Sequence, residues 1–396
     1  MTNDKNKIYL NDMGLLCALG SDREEVESNM SQGYQGGMID TADYSRDPLV
    51  LGVVREKLPE IPPSLSQYAC RNNRMLLHVL EQIRPTLETC LRETSPDRVG
   101  VVLGTCTGGN SEAQEFLDYY SQHREMPARF NADITFMGDC ADFVAEFLDI
   151  EGPRYVVSTA CSSSGNAFAS AARLISRDLC DLVIVGGADA LCPLTVRGFS
   201  ALGVVSMAVC NPSSINRKGT NIGEGAALFV MSRKPVGVRL AGIGVCSEAF
   251  HISRPRADGS GAEMAMSLAL QQAELTAEDI EYVNLHGTAT QLNDAMESLA
   301  AGRAFGPQVP CSSTKSMTGH ALGAAAAIEA AVCWMLLESE SDDVGLPAHC
   351  WDADADPDLS DLNLVKPGQR SPRPKYCMSN SFAFGGNNVS VILGKD

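Results

Sequence analysis

The chain has 396 residues, 44% hydrophobic and 20% charged, an ordinary globular profile with ample material for a core. Its 49 acidic and 31 basic residues leave a formal net charge of −18, which argues against a nucleic-acid binder, since that needs a basic face. No stretch approaches the roughly 18 uninterrupted apolar residues of a membrane span, and the start, MTNDKNKIYL, has no apolar signal core, so the expected location is the cytoplasm. The 14 cysteines include no CxxC pair, which removes the usual zinc and redox spacings.

In chain order, KIYLNDMGLL is an apolar strand that ends in a glycine turn. Residues 71–91, RNNRMLLHVLEQIRPTLETCL, read as one amphipathic helix with Met75, Leu76, Val79, Leu80 and Ile83 on its apolar side. YVV (155–157) ends a buried strand, and from Gly165 onward the chain is Ala-rich with apolar residues at helical spacing, so Cys161 sits at a strand-to-helix turn. DLVIVGGADAL (181–191) is a further buried strand. VRLAGIGVC (238–246) repeats the shape of the first strand. VPCSSTKSMTGHALGAAAAIEAAV (309–332) repeats the segment around Cys161: a short apolar entry, a Ser/Thr/Cys cluster, a Gly, then an Ala-rich helix. Two correspondences in the same order predict a duplicated α/β unit with halves at 1–235 and 236–396. WDADADPDLSD (351–361) fails as a calcium loop because Pro357 stands where an EF-hand needs Gly, and it reads as a solvated acidic loop.

Chemistry concentrates at three loops. A thiol at a helix N-terminus feels the positive end of the backbone dipole, which favours the thiolate. The small neighbours Ala160, Ser162, Ser163 and Ser164 leave room for a substrate, although a structural cysteine explains TAC nearly as well. YVNL carries an apolar strand up to His286, Gly287 and Thr288, and STKSMTGH brings His320, preceded by Lys315, to the mouth of the second Ala-rich helix. All three groups follow strand-to-loop transitions, where ligand crevices of α/β sheets form. One histidine acting as a base would suffice for a hydrolase. A thiolate with two neutral histidines suits acyl transfer between thioesters, and stabilisation of an enolate oxygen as CO2 leaves. The Lys315 cation would hold both imidazoles neutral. That is the chemistry of a decarboxylating Claisen condensation.

Four ordered motifs, TACSSS, HGTAT with its following ND..E, STKSMTGH.LGAA…E and NSFAFGGNN, together resemble the elongating β-ketoacyl-acyl carrier protein synthases, over essentially the whole chain. The resemblance implies the thiolase fold: two βαβαβαββ halves in a five-layer α/β/α/β/α sandwich. It implies a homodimer, or a heterodimer with a chain-length-factor-like sibling, and acyl carrier protein as the partner. No cofactor or metal is expected beyond the phosphopantetheine that carries the substrates. By motif, Cys161 is the nucleophile, and His286 and His320 bind the malonyl thioester carbonyl and assist decarboxylation. Lys315 and Glu329 support the site. Thr288 and Thr290 contact the pantetheine arm, and the backbone N–H groups of Cys161 and Phe384 form an oxyanion hole. Phe384 also gates the acyl pocket, with Phe382 beside it, and Arg71 and Arg74 match a basic patch that meets the carrier protein.

Three departures from the family pattern bear on the substrate. NPSSINRKGTNIGEGA (211–226) is a remodelled loop between the halves, Ala383 stands where many relatives have Gly, and Cys106 and Thr107 replace larger apolar residues that set chain length. These point to an unusual chain, as in polyene or polyketide assembly of the aryl-polyene kind, with housekeeping fatty-acid elongation as the alternative. A thiolase would carry a second cysteine near SNSFAFGGNN, an initiating synthase would carry Asn for the second His, and a non-catalytic chain-length factor would lack Cys161.

Overall fold

The computed structural model describes residues 7–128 and 130–395; MTNDKN, the beginning of the start read above for a signal core, lies outside them. Among the described residues eleven strands form one sheet. Its spatial order is Asn363–Leu364, Pro310–Ser312, Tyr282–Asn284, Tyr376–Phe382, Asn387–Gly394, Val238–Ser247, Tyr9–Cys17, Gly225–Ser232, Leu182–Asp189, Val99–Gly104, Arg154–Val157. Strands that precede residue 236 occupy one end of the sheet and those that follow it the other. The two lobes join where Tyr9 and Leu10 pair with Arg239 and Val238. Leu182–Asp189 and Gly225–Ser232 are buried at every position, as strands covered on both faces must be.

Two helices fill the space between the lobes. Ser163–Ser176 packs on Val99–Gly104 and Leu182–Asp189 and reaches Asn387–Gly394 of the other lobe. Ala325–Glu338 packs on Tyr376–Phe382 and Gly225–Ser232, and is buried all round from Ala325 to Leu337. Arg71–Gln82 and Asp139–Phe147 cover the outside of the first lobe; Ser260–Ala273 and Gln291–Phe305 cover the second. This is the five-layer α/β/α/β/α thiolase fold. Two glycines allow the tight central layer: a Cβ on Gly165 would lie 2.4 Å from Val389 Cγ1, and one on Gly104 would lie 2.2 Å from the Ser164 nitrogen.

One element differs from expectation. Residues 71–91 are not a single helix; they form Arg71–Gln82 and Arg84–Glu93, broken at Ile83. Pro85 has no N–H to offer the carbonyl four residues back, and its ring clashes there. The apolar side survives the break, with Met75, Leu76, Val79, Leu80 and Ile83 all buried.

Candidate active site

Three of the groups stand past the C-terminal end of a strand. Cys161 lies between Arg154–Val157 and the helix Ser163–Ser176, His286 follows Tyr282–Asn284, and Phe384 follows Tyr376–Phe382. His320 lies between the short helix Lys315–Thr318 and the turn Leu322–Ala324. A non-glycine residue in the left-handed region marks each of three corners: Ala160 (φ 53°) before the thiol, Ala289 (φ 60°) after His286, and Leu322 (φ 48°) after His320. Such conformations store roughly 1–3 kcal/mol each and gather at functional sites.

The three corners converge. His320 Nε2 lies 3.0 Å from Cys161 Sγ, and the two imidazole rings are 5.3 Å apart and nearly perpendicular. All three side chains are buried, yet all line one cavity of about 450 Å³. Lys315 is fully buried and ion-paired with Glu329. Burial, reinforced by the Lys315 charge, holds both imidazoles well below the usual histidine range, so both are neutral near pH 7. Among the described residues neither Nδ1 has a hydrogen-bond partner, so no neighbour pins the proton to one ring nitrogen and Nε2 is free to accept or to donate.

The thiol departs from expectation. Burial pushes Cys161 up to about 11, against the pull of Lys315 and of the backbone N–H groups of Phe384 and Cys161. Desolvation of the charged form outweighs the helix terminus, so the resting group is the neutral thiol. The same two N–H groups converge on the sulfur, where an oxyanion hole was expected. One thiol and two imidazoles, with donor atoms within 4.8 Å of one another, also have the span to hold a divalent ion. The buried Lys315 cation opposes one electrostatically.

Thr288 and Thr290 line the cavity with their hydroxyls 3.0 Å apart. Phe382 lies edge-on to His286 at 6.2 Å, and Phe384 stacks on Phe199 at 5.8 Å, all three aromatics being cavity walls. Thr107 does not face the cavity: its hydroxyl donates to Asp189 at 2.7 Å. Cys106 lies under the nucleophile turn, its sulfur donating to the Ala160 carbonyl at 3.4 Å, and neither residue is part of the cavity wall. Arg71 and Arg74 are both paired with carboxylates. Arg71 forks onto the fully buried carboxylate of Glu224 at 2.5 and 2.8 Å, and Arg74 binds Glu60 at 2.8 Å and the Leu58 and Pro59 carbonyls. Both side chains stay about a third exposed, 31% each, and neither lines the cavity. Nor is the acidic stretch 351–361 merely solvated. Asp356 pairs with the buried Arg217 at 2.5 Å, and Asp352 accepts from Asn211 and Asn216, so this stretch grips the remodelled loop.

Three supporting residues escaped the sequence reading. Asp189 accepts from the Thr105 and Thr107 hydroxyls and from the N–H groups of Cys106, Thr107 and Gly323, tying the turn after His320 to the loop beneath Cys161. A lone carboxylate closing an apolar strand was the signal. Glu297, the glutamate of ND..E, accepts from the N–H groups of His286 and Gly287 at 2.7 Å each, and burial pushes it up to about 7. His349 accepts from the Ser313 N–H and donates to the Pro212 carbonyl, both at 3.0 Å, joining the Lys315 loop to the remodelled one.

A five-layer duplicated sandwich with a thiol and two neutral imidazoles at the seam of its lobes defines a condensing acyltransferase. The chain belongs to the β-ketoacyl synthase family: the family's N-terminal domain matches residues 56–236 and its C-terminal domain residues 238–341. Nodulation protein E of Rhizobium leguminosarum bv. trifolii is 32% identical over 98% of both chains. The 3-oxoacyl-[acyl-carrier-protein] synthase 2 of Staphylococcus aureus (strain COL) is 28% identical over 99% of both. Among solved structures, the ketosynthase ApeO in complex with its chain length factor ApeC from Xenorhabdus doucetiae superposes with a TM-score of 0.92, at 38% identity over the full length of both chains.

Proposed function

We propose that this chain is the catalytic ketosynthase of a specialised polyene or polyketide pathway, of the aryl-polyene kind, extending an acyl chain on Cys161 by two carbons. The observation that carries this reading is the His320 Nε2 to Cys161 Sγ contact of 3.0 Å, with neutral His286 alongside. In the first step the Cys161 sulfur attacks the thioester carbonyl of an acyl-phosphopantetheine while its proton passes to Nε2 of His320, whose ring carries its own proton on Nδ1 at this stage. The N–H groups of Cys161 and Phe384 stabilise the tetrahedral oxyanion. The bond from carbonyl to pantetheine sulfur then breaks, and that sulfur leaves with the proton. In the second step His286 and His320 donate to the carbonyl oxygen of a malonyl thioester. Its C–CO2 bond breaks, CO2 departs, and the electron pair remains as an enolate. The enolate carbon attacks the acyl-Cys161 carbonyl, a C–C bond forms, the C–S bond to Cys161 breaks, and one proton from solvent restores the thiol.

Lys315 and Glu329 keep the imidazoles neutral and in place, Thr288 and Thr290 contact the pantetheine arm, and Phe384 gates the pocket. The halves 1–235 and 236–396 contribute the thiol and the histidines respectively. Substrates arrive on acyl carrier protein, with no further cofactor. The likeness to a ketosynthase solved with its chain length factor supports a heterodimer with a sibling subunit. Among the described residues no helix is long and apolar enough to cross a membrane, and we place the protein in the cytoplasm. The intact thiol opposes a non-catalytic chain-length-factor role.

Intact-protein mass after mixing with acyl-carrier proteins of varied chain tests the reading, with Cys161→Ala as control. The expected result is a gain of one acyl group on the wild type alone, discharged by malonyl-carrier protein with release of CO2. Equal labelling of Cys161→Ala would remove Cys161 as the nucleophile.

A further inference from the structure

The cavity that holds Cys161 is also walled by two exposed cations, Lys218 and Arg254. Lys218 belongs to the remodelled loop and Arg254 to the turn after the strand Val238–Ser247. Neither has a carboxylate partner among the described residues; the Arg254 guanidinium meets His251 Nε2 at 3.3 Å. Their neighbours are all engaged. Arg217 is held by Asp356, Arg256 by Asp258, and Glu248, the carboxylate of the same wall, accepts from the Arg256 N–H and from Asn388. In a chain of net charge −18, two unneutralised cations on the rim of one cavity are an anion-recognition feature.

We propose that Lys218 and Arg254 bind the phosphodiester of the phosphopantetheine arm as its thioester end reaches Cys161. This rests on the ketosynthase reading, and it moves substrate-carrier recognition from Arg71 and Arg74 to the cavity rim. The thiol, the two threonines and the two cations then line one path: reacting carbonyl inside, amide-bearing arm along Thr288 and Thr290, phosphate at the rim.

The test measures acylation of Cys161 by two small thioesters, an acyl-phosphopantetheine and the same acyl-pantetheine without phosphate. It uses the purified full chain, with its sibling subunit where one co-purifies. Wild type should prefer the phosphorylated thioester by roughly ten-fold at low salt, as expected for two charge-assisted contacts at an exposed site, and less at high salt. In Lys218→Ala/Arg254→Ala that preference should collapse toward one, with an unchanged melting temperature. A preference retained in the double variant, or absent in wild type, overturns the proposal. So does a variant slowed solely toward intact carrier protein, because the cations would then meet the protein surface. If neither thioester acylates wild-type Cys161, the ketosynthase reading itself fails, and this inference falls with it.

Discussion

His349 carries a pH dependence whose size follows from its surroundings. The ring is fully buried, accepts from the Ser313 N–H and donates to the Pro212 carbonyl. Burial pushes it from an ordinary 6.5 to about 4. An unfolded chain takes up a proton here near pH 6.5 and the folded chain does not until about pH 4. The unfolded state therefore binds more protons in that window, and stability is lost as pH falls through it. The difference between 6.5 and about 4, at about 1.36 kcal/mol per unit, amounts to about 3 kcal/mol in all, of which about 2 kcal/mol is felt by pH 5. His349→Gln keeps an acceptor and a donor but has no charge to gain. Urea unfolding followed by tryptophan fluorescence at pH 7.5, 6.5, 5.5 and 5 should find wild type more stable at pH 7.5, with the gap shrinking by about 2 kcal/mol at pH 5. The other buried titrating groups are common to both proteins and cancel in the difference. A gap constant across the range would refute the argument.

Arg71→Met should destabilise the chain by about 3–5 kcal/mol in thermal or denaturant melts, because it strips the buried Glu224 carboxylate of its partner, and Glu224→Gln should recover much of that loss. Asp189→Asn puts an NH2 among five donors and should cost about 2–4 kcal/mol in the same melts. It should also slow Cys161 acylation, since the turn after His320 loses its anchor. Gly165→Ala places a methyl 2.4 Å from Val389 and should destabilise by about 1–3 kcal/mol, with Val389→Ala as the relieving partner. Alkylation of Cys161 by iodoacetamide should climb with pH up to about 11; a plateau near pH 7 would mean a resting thiolate.

The chemistry was legible because it resides in short contiguous motifs. TACSSS and HGTAT each follow a strand with a reactive side chain, STKSMTGH carries one past a short helix, and the duplicated pattern predicts that the three meet. What was not legible depends on partners far along the chain. Thr107 reads as pocket lining until Asp189 claims its hydroxyl, and Arg71 reads as a surface cation until Glu224 does. The acidic run 351–361 looks solvated because its partners, Asn211, Asn216 and Arg217, lie more than a hundred residues upstream. The thiol's protonation state is a property of burial, which no local motif carries. The break at Ile83, by contrast, was available in Pro85 and was overridden by a continuous apolar face.

The position of Tyr9–Cys17 in mid-sheet has a consequence for synthesis. This strand is translated before the other ten described strands of its sheet, yet its neighbours, Gly225–Ser232 and Val238–Ser247, lie more than two hundred residues later. At about 5–20 residues per second, roughly 10–40 s pass between its emergence and that of its partners. Throughout that interval it is an apolar strand with two open edges. The first lobe therefore cannot close until Gly225–Ser232 has left the ribosome, and until then unpaired edges of this kind are a hazard for association with other chains.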